Sequence, residues 1–210
     1  MQQILIAGAS GLIGRELVAC LAPQAELWLP CRRPVASAPH LHWCETDFEQ
    51  LERLTLPVTI DTAFCALGTT RRDAGSAAAF RRVDLDYVLA FARLAQRHGC
   101  RRLVVVSSLG ANPGSPFLYP RTKGEMEQAL QAMGWERLVV VRPGMLLGDR
   151  QPPRRGEQIS QRLYPFIAPL LRGPLTRFRA IEASRVARAM VALAGGEGLE
   201  TVENERLQLW

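Results

Sequence analysis

The stretch ILIAGASGLIGREL, residues 4–17, decides the fold. A short apolar run ends in glycines with G-x-x-G-x-x-G spacing, and a helical pattern of apolar residues follows directly. Gly8 permits a tight turn, Gly11 lets a pyrophosphate approach the backbone, and Gly14 allows the helix to pack closely on the strand. Because the helix amino terminus also presents free N–H groups, the loop predicts a dinucleotide-binding site. The other loop residues expected in this site are Ser10, Leu12 and Ile13.

Beyond this loop, apolar strands and amphipathic helices alternate along the chain. The further segments with strand character are residues 25–31, 59–68, 101–108 and 137–144. Helical periodicity predicts a long helix at about 77–98 and another at 116–133. Strands that are apolar throughout are typical of a parallel sheet covered on both faces. We therefore predict an α/β fold, a Rossmann-type doubly wound parallel sheet.

The pattern changes beyond about residue 145. Residues 151–158 predict a loop, and residues 159–173 predict an apolar helix broken by two prolines. A short helix is predicted at 183–196, before a final segment that includes an edge strand. We expect a single domain spanning residues 1–210, in which about 145–210 contribute a small C-terminal cap on the substrate side and edge elements.

The composition excludes several classes of protein. Apolar residues make up 48% of the 210 residues and charged residues 22%, which is typical of a globular protein. No apolar run reaches the length of a membrane span, and the amino terminus has no signal-peptide pattern. The five cysteines are odd in number, widely spaced and without a C-x-x-C motif. We expect free thiols, no metal site and a cytoplasmic location.

The net charge of +6 raises the question of nucleic-acid binding. The arginines are scattered singly and in pairs and form no stripe, so we do not expect nucleic acid as a partner. A small anionic ligand needs only a few of these charges. We expect a small-molecule substrate, no membrane association, and a monomer or a homodimer.

The end of the second strand predicts the cofactor preference. An NAD site usually carries Asp or Glu there, to bind the ribose 2′-hydroxyl. Here Arg32 and Arg33 follow the strand, and two guanidinium groups suit a 2′-phosphate. NADP(H) is therefore preferred, with NAD(H) as the alternative. Asp47, after the next strand, is placed to meet the adenine amino group.

The segment LYPRTKGEME, residues 118–127, contains the only lysine of the chain. Tyr119 stands four residues before Lys123, so the two can share one face of a helix. A nearby ammonium favours a phenolate, and a phenolate is a usable base at neutral pH. Pro120 lies between them and is tolerated only in a first helical turn. We therefore expect Tyr119 at or near a helix start, with Lys123 one turn further along.

These motifs together resemble the short-chain dehydrogenase/reductases. GASGLIG, VVVSSLGA, YPRTK and VRPG occur in the order and spacing of that family, with the glycine spacing of its extended and atypical branches. FCALGTTR, VDLDYVLAFARLA and RPGMLLGDRQ are more narrowly similar to the atypical NAD(P)-binding subgroup of the HIV-Tat-interacting protein. The resemblance covers about residues 1–190.

The resemblance implies a Ser–Tyr–Lys active site on an NADP-binding fold. By position, Tyr119 would be the general acid and base, and Lys123 would bind the nicotinamide ribose and favour the phenolate. Ser108, or alternatively Ser107, would hydrogen-bond the substrate carbonyl. The further residues that would line the cofactor site are Ala66, Leu67, Gly68, Ser107, Pro143 and Gly144.

One departure from the family leaves the function open. The family usually carries an asparagine in the helix before the VVVSS strand, and Asp84 stands in its place here. The first hypothesis is an oxidoreductase that transfers a hydride between NADP(H) and a small carbonyl or alcohol. The alternative is a catalytically weak protein of the same fold that senses a dinucleotide or binds another protein.

Overall fold

The computed structural model describes residues 1–35, 38–148 and 173–210. Its strands are β1 (Gln2–Ala7), β2 (Ala25–Cys31), β3 (Leu41–Glu45), β4 (Thr62–Cys65), β5 (Arg102–Val106), β6 (Arg137–Arg142), β7 (Leu146–Leu147), β8 (Ile181–Glu182) and β9 (Gly198–Glu203). Its α-helices are α1 (Leu12–Leu21), α2 (Arg71–Ala74), α3 (Ala77–Arg81), α4 (Tyr87–Arg97), α5 (Leu118–Gln131), α6 (Ala183–Leu193) and α7 (Asn204–Leu207). Two 3-10 helices occupy Phe48–Arg53 and Gly173–Phe178, and a π-helical turn occupies Arg82–Asp86.

Seven of these strands form one parallel sheet, in the order β3-β2-β1-β4-β5-β6-β9. The predicted doubly wound parallel sheet is therefore confirmed. The chain crosses from β3 at one edge to β4 on the other side of β1, so the strand order reverses between β1 and β4. Such a switch point opens a crevice at the carboxyl ends of the strands, where ligands of open α/β sheets bind. The loop after β1 lies at this point.

Alternate residues of each central strand enter two different cores, which explains why the strands are apolar throughout. Ile4 and Ile6 of β1 pack on the side of α1 and α6. Leu5 and Ala7 pack on the side of α4 and α5, with Phe91 among the fully buried residues there. Helices thus cover both faces of the sheet, and a binding site can form at the edge where the carboxyl ends of the strands lie.

The predicted long helix at 77–98 is interrupted. Residues 77–97 are helical, but the middle segment, Arg82–Asp86, winds as a π-helical turn. Such turns place one extra residue in a helix and often occur at functional sites. Asp84 lies inside this turn and is buried.

Much of the region expected to form a cap extends the main fold. Helix α6 packs on α1, and β9 pairs in parallel with β6 at the edge of the sheet. Strands β7 and β8 form a separate two-stranded sheet. The loop predicted at 151–158 and all but the last residue of the helix predicted at 159–173 lie outside the described residues. Among the helices of the described ranges, none is long and apolar enough to cross a bilayer.

Arg137 attaches the edge strand to the rest of the sheet. It begins β6 and is buried, and its guanidinium donates to the carbonyl of Leu193 from Nη2 at 2.9 Å and to that of Glu197 from Nη1 at 3.2 Å. Nη2 also lies 2.5 Å from a carboxylate oxygen of Glu200 on β9. The Arg137 guanidinium therefore bonds the last carbonyl of α6 and holds β9 beside β6.

Replacing Arg137 with Met should lower the free energy of unfolding by about 3 kcal/mol, because the buried carbonyl of Leu193, the carbonyl of Glu197 and one carboxylate oxygen of Glu200 lose a donor. Urea denaturation monitored by circular dichroism measures this change. Arg93→Met is the matched control: Arg93 forms an exposed ion pair with Glu52 at 2.7 Å, and its loss should cost less than about 1 kcal/mol. Equal losses for the two variants would contradict this account of Arg137.

Candidate active site

A cleft of about 1080 Å³ runs along the carboxyl edge of the sheet. All the residues expected to bind the cofactor or to act in catalysis line this cleft, apart from Gly14. Gly14 lies beneath the loop, where it packs against Gly8. Residues that are more than one hundred positions apart in the chain thus face one cavity.

The glycine loop at the middle of the cleft is built for close approach. Gly8 has a φ of +80°, which favours glycine, and the N–H of Gly11 donates to the Gly8 carbonyl at 2.8 Å. A Cβ at Gly8 would lie 2.6 Å from the Ala66 carbonyl oxygen, and one at Gly14 would lie 2.0 Å from the Gly8 carbonyl oxygen. Gly11 is also the N-cap of α1, and no side chain caps that helix. Glycine therefore allows the loop, the helix and the end of β4 to pack this closely, and the uncapped N–H groups at the start of α1 suit a pyrophosphate.

Arg32, Arg33 and Asp47 lie at the β2 end of the cleft. Both arginines are exposed and follow β2 directly. The Oδ1 atom of Asp47 accepts from the N–H of Glu49 at 3.0 Å, and so caps the following 3-10 helix. The structure therefore places a pair of cations and an oriented carboxylate where a 2′-phosphate and an adenine amino group were expected.

Tyr119 stands at the start of α5, as Pro120 predicted. Phe117 is the N-cap, so Tyr119 and Pro120 are the second and third helical residues. Their N–H positions have no partner within a helix, which removes the cost of proline there. The Tyr119 ring packs on Phe80, with 5.6 Å between centroids, and the residue is 44% exposed. Its side chain therefore faces the cleft with one side free.

The helix is held in place by the loop before it. The N–H of Asn112 donates to the carbonyl of Pro120 at 2.9 Å. A Cβ at Gly124 would lie 2.2 Å from the backbone nitrogen of Pro113, so only glycine lets the helix pack this closely on the loop. This contact fixes the position of α5 relative to the carboxyl end of β5.

Lys123 forms a buried ion pair with Asp84. Its Nζ atom lies 2.8 Å from Asp84 Oδ1, and the two side chains are 3% and 1% exposed. Asp84 Oδ2 accepts from the N–H of Thr69 at 2.8 Å. Burial lowers the pKa of Lys123, but the charge of Asp84, then that of Tyr119, more than offset this, and the pKa lies above its ordinary value. The ammonium is therefore protonated and already paired.

The two candidate serines have different environments. Ser107 is buried, and its hydroxyl donates to Glu127 Oε1. Glu127 also accepts from Nε and Nη2 of Arg142, at 2.9 and 2.5 Å. The Ser108 hydroxyl is only half-buried and makes a long bond of 3.3 Å to the carbonyl of Leu109. Ser108 is thus the freer of the two to meet a substrate.

Glu127 was not recognised from the sequence. It lies four residues after Lys123 and so shares its helical face, which is the one sequence signal for its inward position. The hydrogen bonds that Glu127 accepts from Arg142 raise the pKa of Arg142 most, and the hydrogen bond that Glu203 accepts raises it further. Burial opposes these effects but does not outweigh them. Arg142 Nη1 reaches Glu203 Oε1 at 2.8 Å. The network links the ends of β5, β6 and β9 beneath the cleft.

Asn204 positions the Pro143–Gly144 turn. It is fully buried, and its Oδ1 atom accepts from the N–H of Gly144 at 2.8 Å. Its Nδ2 atom donates to the carbonyls of Arg177 and Arg179, at 2.9 and 2.7 Å. Sequence reasoning had no signal for this residue, because the partners are 25 to 60 positions away.

With this geometry in view, comparison with known proteins identifies the family. The model of the NAD dependent epimerase/dehydratase family matches residues 4–186. The chain belongs to this family. Its members have a nicotinamide-dinucleotide-binding, oxidoreductase-type fold, to which the glycine loop and the cleft conform.

Curated relatives confirm the narrower resemblance to the subgroup of the HIV-Tat-interacting protein. Protein HTATIP2 of Rattus norvegicus is 39% identical over 171 residues, which cover 78% of this chain and 70% of that protein. Protein FMP52, mitochondrial, of Candida albicans is 36% identical over 166 residues, which cover 74% and 72%.

Solved structures show the same fold at low identity. A short chain dehydrogenase family protein from Francisella tularensis has a TM-score of 0.70 at 15% identity, and the match covers 99% of both chains. The UDP-Glc/GlcNAc 4-epimerase of Campylobacter jejuni has a TM-score of 0.72 at 13% identity, covering 97% of this chain and 78% of the epimerase.

The prediction of a cytoplasmic location is wrong. Several fungal relatives are named mitochondrial, among them those of Candida albicans and Debaryomyces hansenii. All five cysteines are free, as expected, and burial raises the pKa of Cys65 to about 12. Reducing surroundings are not confined to the cytoplasm, so free thiols do not identify a compartment. In the described ranges, no group of three or more His, Cys, Asp or Glu side chains could hold a metal ion.

Replacing Asn204 with Ala should loosen the Pro143–Gly144 turn. The N–H of Gly144 loses its acceptor, so its amide hydrogen should exchange at least about tenfold faster, and unfolding should cost about 2 kcal/mol less. Hydrogen exchange by mass spectrometry and urea denaturation measure the two effects. Asn112→Ala is the control, because Asn112 Oδ1 accepts from Gly114 N–H at an exposed site. Unchanged exchange at Gly144 in Asn204→Ala would contradict the assigned role.

Proposed function

We propose that the protein is an NADP(H)-dependent oxidoreductase that interconverts a small carbonyl compound and the corresponding alcohol. The observation that carries the proposal is the convergence of Ser108, Tyr119 and Lys123 on the cleft that contains the glycine loop. These are an alcohol, a phenol and an ammonium at one end of a dinucleotide-sized groove. When bound there, NADP(H) would supply or accept the hydride.

Each side chain has a role that its surroundings support. Tyr119, with one face of its ring open to the cleft, gives a proton to the carbonyl oxygen during reduction and takes it back during oxidation. Ser108 donates a hydrogen bond to that oxygen and orients it. Lys123 binds the nicotinamide ribose and stabilises the phenolate by its charge.

The preference for NADP(H) rests on Arg32 and Arg33. Both side chains face the cleft from the end of β2, and both are exposed and positively charged. Asp47, which also lines the cleft, accepts from the N–H of Glu49 through one oxygen. Two guanidinium groups can form charge-assisted hydrogen bonds with the 2′-phosphate of NADP(H). The 2′-hydroxyl of NAD(H) is uncharged and gains much less from them.

One observation favours a second candidate, a dinucleotide-binding protein with weak catalysis. Asp84 neutralises the ammonium of Lys123 at 2.8 Å, and this reduces the positive charge that would stabilise a Tyr119 phenolate. Such a protein would bind NADPH yet fail to oxidise it. A panel of aldehydes, ketones and quinones, followed by the loss of NADPH absorbance, separates the two candidates.

The proton-transfer role predicts the behaviour of Tyr119→Phe. The variant keeps the ring packing on Phe80 and loses the hydroxyl. We expect kcat to fall by about 10²–10⁴-fold while the Kd for NADPH changes little. Steady-state NADPH oxidation with the best substrate of the panel, and a fluorescence titration with NADPH, measure the two quantities.

Tyr87→Phe is the matched control. Burial, then the hydrogen bond to Glu49, raise the pKa of Tyr87 to about 12, so this phenol stays protonated at neutral pH. Its removal should leave most of the turnover. If Tyr119→Phe retained full turnover, the proposed proton transfer would be wrong.

The cofactor preference predicts a selective loss in the double variant Arg32→Ala/Arg33→Ala. The affinity for NADPH should fall by at least about tenfold, and the affinity for NADH by less than about threefold. Calorimetric titration with each cofactor measures the difference. Arg101→Ala/Arg102→Ala is the matched control, because it removes another exposed pair of adjacent arginines, at the opposite edge of the sheet. Equal losses of NADPH and NADH affinity would contradict the selector role.

A further inference from the structure

Lys123 and Asp84 form a charge-balanced pair in the cleft. Asp84 and Lys123 are both buried, lie 2.8 Å apart and line the cleft. Because water is excluded from the pair, neither charge is screened as it would be at the surface. A neutral side chain in place of Asp84 would leave one uncompensated positive charge there.

The two redox states of a nicotinamide cofactor respond differently to that charge. The oxidised nicotinamide ring is a cation, whereas the reduced ring is neutral. An unpaired ammonium beside the ring therefore repels the oxidised form and has little effect on the reduced form. An ammonium paired with a carboxylate discriminates much less between the oxidised and the reduced ring.

We propose that Asp84, by neutralising Lys123, sets the redox preference of the site and raises the affinity for the oxidised cofactor relative to the reduced one. The inference rests on the proposed function, because it requires the nicotinamide end of the dinucleotide to lie at Lys123. It adds a role for Asp84: the residue controls which cofactor form the protein retains, through the charge of its neighbour. Asp84 is a positioning residue in this account and touches no reacting atom.

The placement of Asp84 supports a dedicated role. Its second oxygen accepts from the N–H of Thr69, in the loop after β4 that also lines the cleft. The carboxylate is therefore fixed from two sides, by the loop and by α5. It lies within the π-helical turn Arg82–Asp86, and such turns often occur at functional sites.

The test is the pair of dissociation constants for NADP⁺ and NADPH in wild type and Asp84→Asn. Asparagine keeps an oxygen that can accept from Thr69 and removes only the charge. We expect the ratio Kd(NADP⁺)/Kd(NADPH) to rise about tenfold in Asp84→Asn. The titrations are made at pH 6.5, because burial lowers the pKa of Lys123 and the ammonium must stay protonated without its partner.

Two further variants isolate the cause. Asp86→Asn makes the same substitution two residues along, at an exposed position, and should leave the ratio unchanged. Asp84→Asn/Lys123→Met removes both charges, so the ratio should return to that of wild type even though both affinities fall. A ratio unchanged in Asp84→Asn, or still raised in the double variant, would overturn the inference.

Because the ratio is a binding measurement, it is independent of turnover. If wild type binds both cofactors but reduces no substrate, catalysis fails and the redox preference is still measured. If wild type binds neither cofactor, the proposed function and this inference fall together. A general loss of stability in Asp84→Asn would weaken both affinities alike and would not change the ratio.

Discussion

The approach of Gly14 to the Gly8 carbonyl is the constraint on which the rest of the molecule depends. A Cβ at Gly14 would lie 2.0 Å from that oxygen, so a side chain here would push α1 away from the end of β1. With glycine, the helix begins directly at the carboxyl edge of the sheet and its free N–H groups face the crevice. The reversal of strand order at β1 and β4 then leaves this crevice open. One contact thus sets where the helix begins relative to the sheet and the cleft.

Buried charges hold the rest of the cleft around that point. Asp84 joins the loop after β4 to α5 through Thr69 and Lys123. Glu127 and Arg142 join α5 to the end of β6. Isolated buried charges are costly, but removing one partner of an established pair is costlier still, so these networks resist rearrangement. Their arrangement places a protonated lysine one helical turn from a half-exposed tyrosine, while the lysine charge is largely cancelled.

Most of the fold could be predicted because its signals are local. The apolar strands, the glycine spacing and the helical periodicity each depend on neighbouring residues, and the sheet confirmed them. The π-helical turn at Arg82–Asp86 was not predicted, since its hydrophobic pattern differs little from that of a regular helix. Within the site, Tyr119 and Lys123 were found because both lie in one helical turn. Glu127 and Asn204 were missed because their partners come from distant strands and loops.

By itself the sequence determined the class of fold, the position of the glycine loop and many of the residues that face the cleft. These follow from turn chemistry and from periodicities of two and 3.6 residues, which a single chain segment carries. Only the tertiary structure decided the charge state of the site. Asp84 and Lys123 are 39 positions apart, and nothing in either segment specifies that the two side chains are buried together at 2.8 Å. An ion pair across a fold depends on how the helices pack, and that packing is a property of the whole chain.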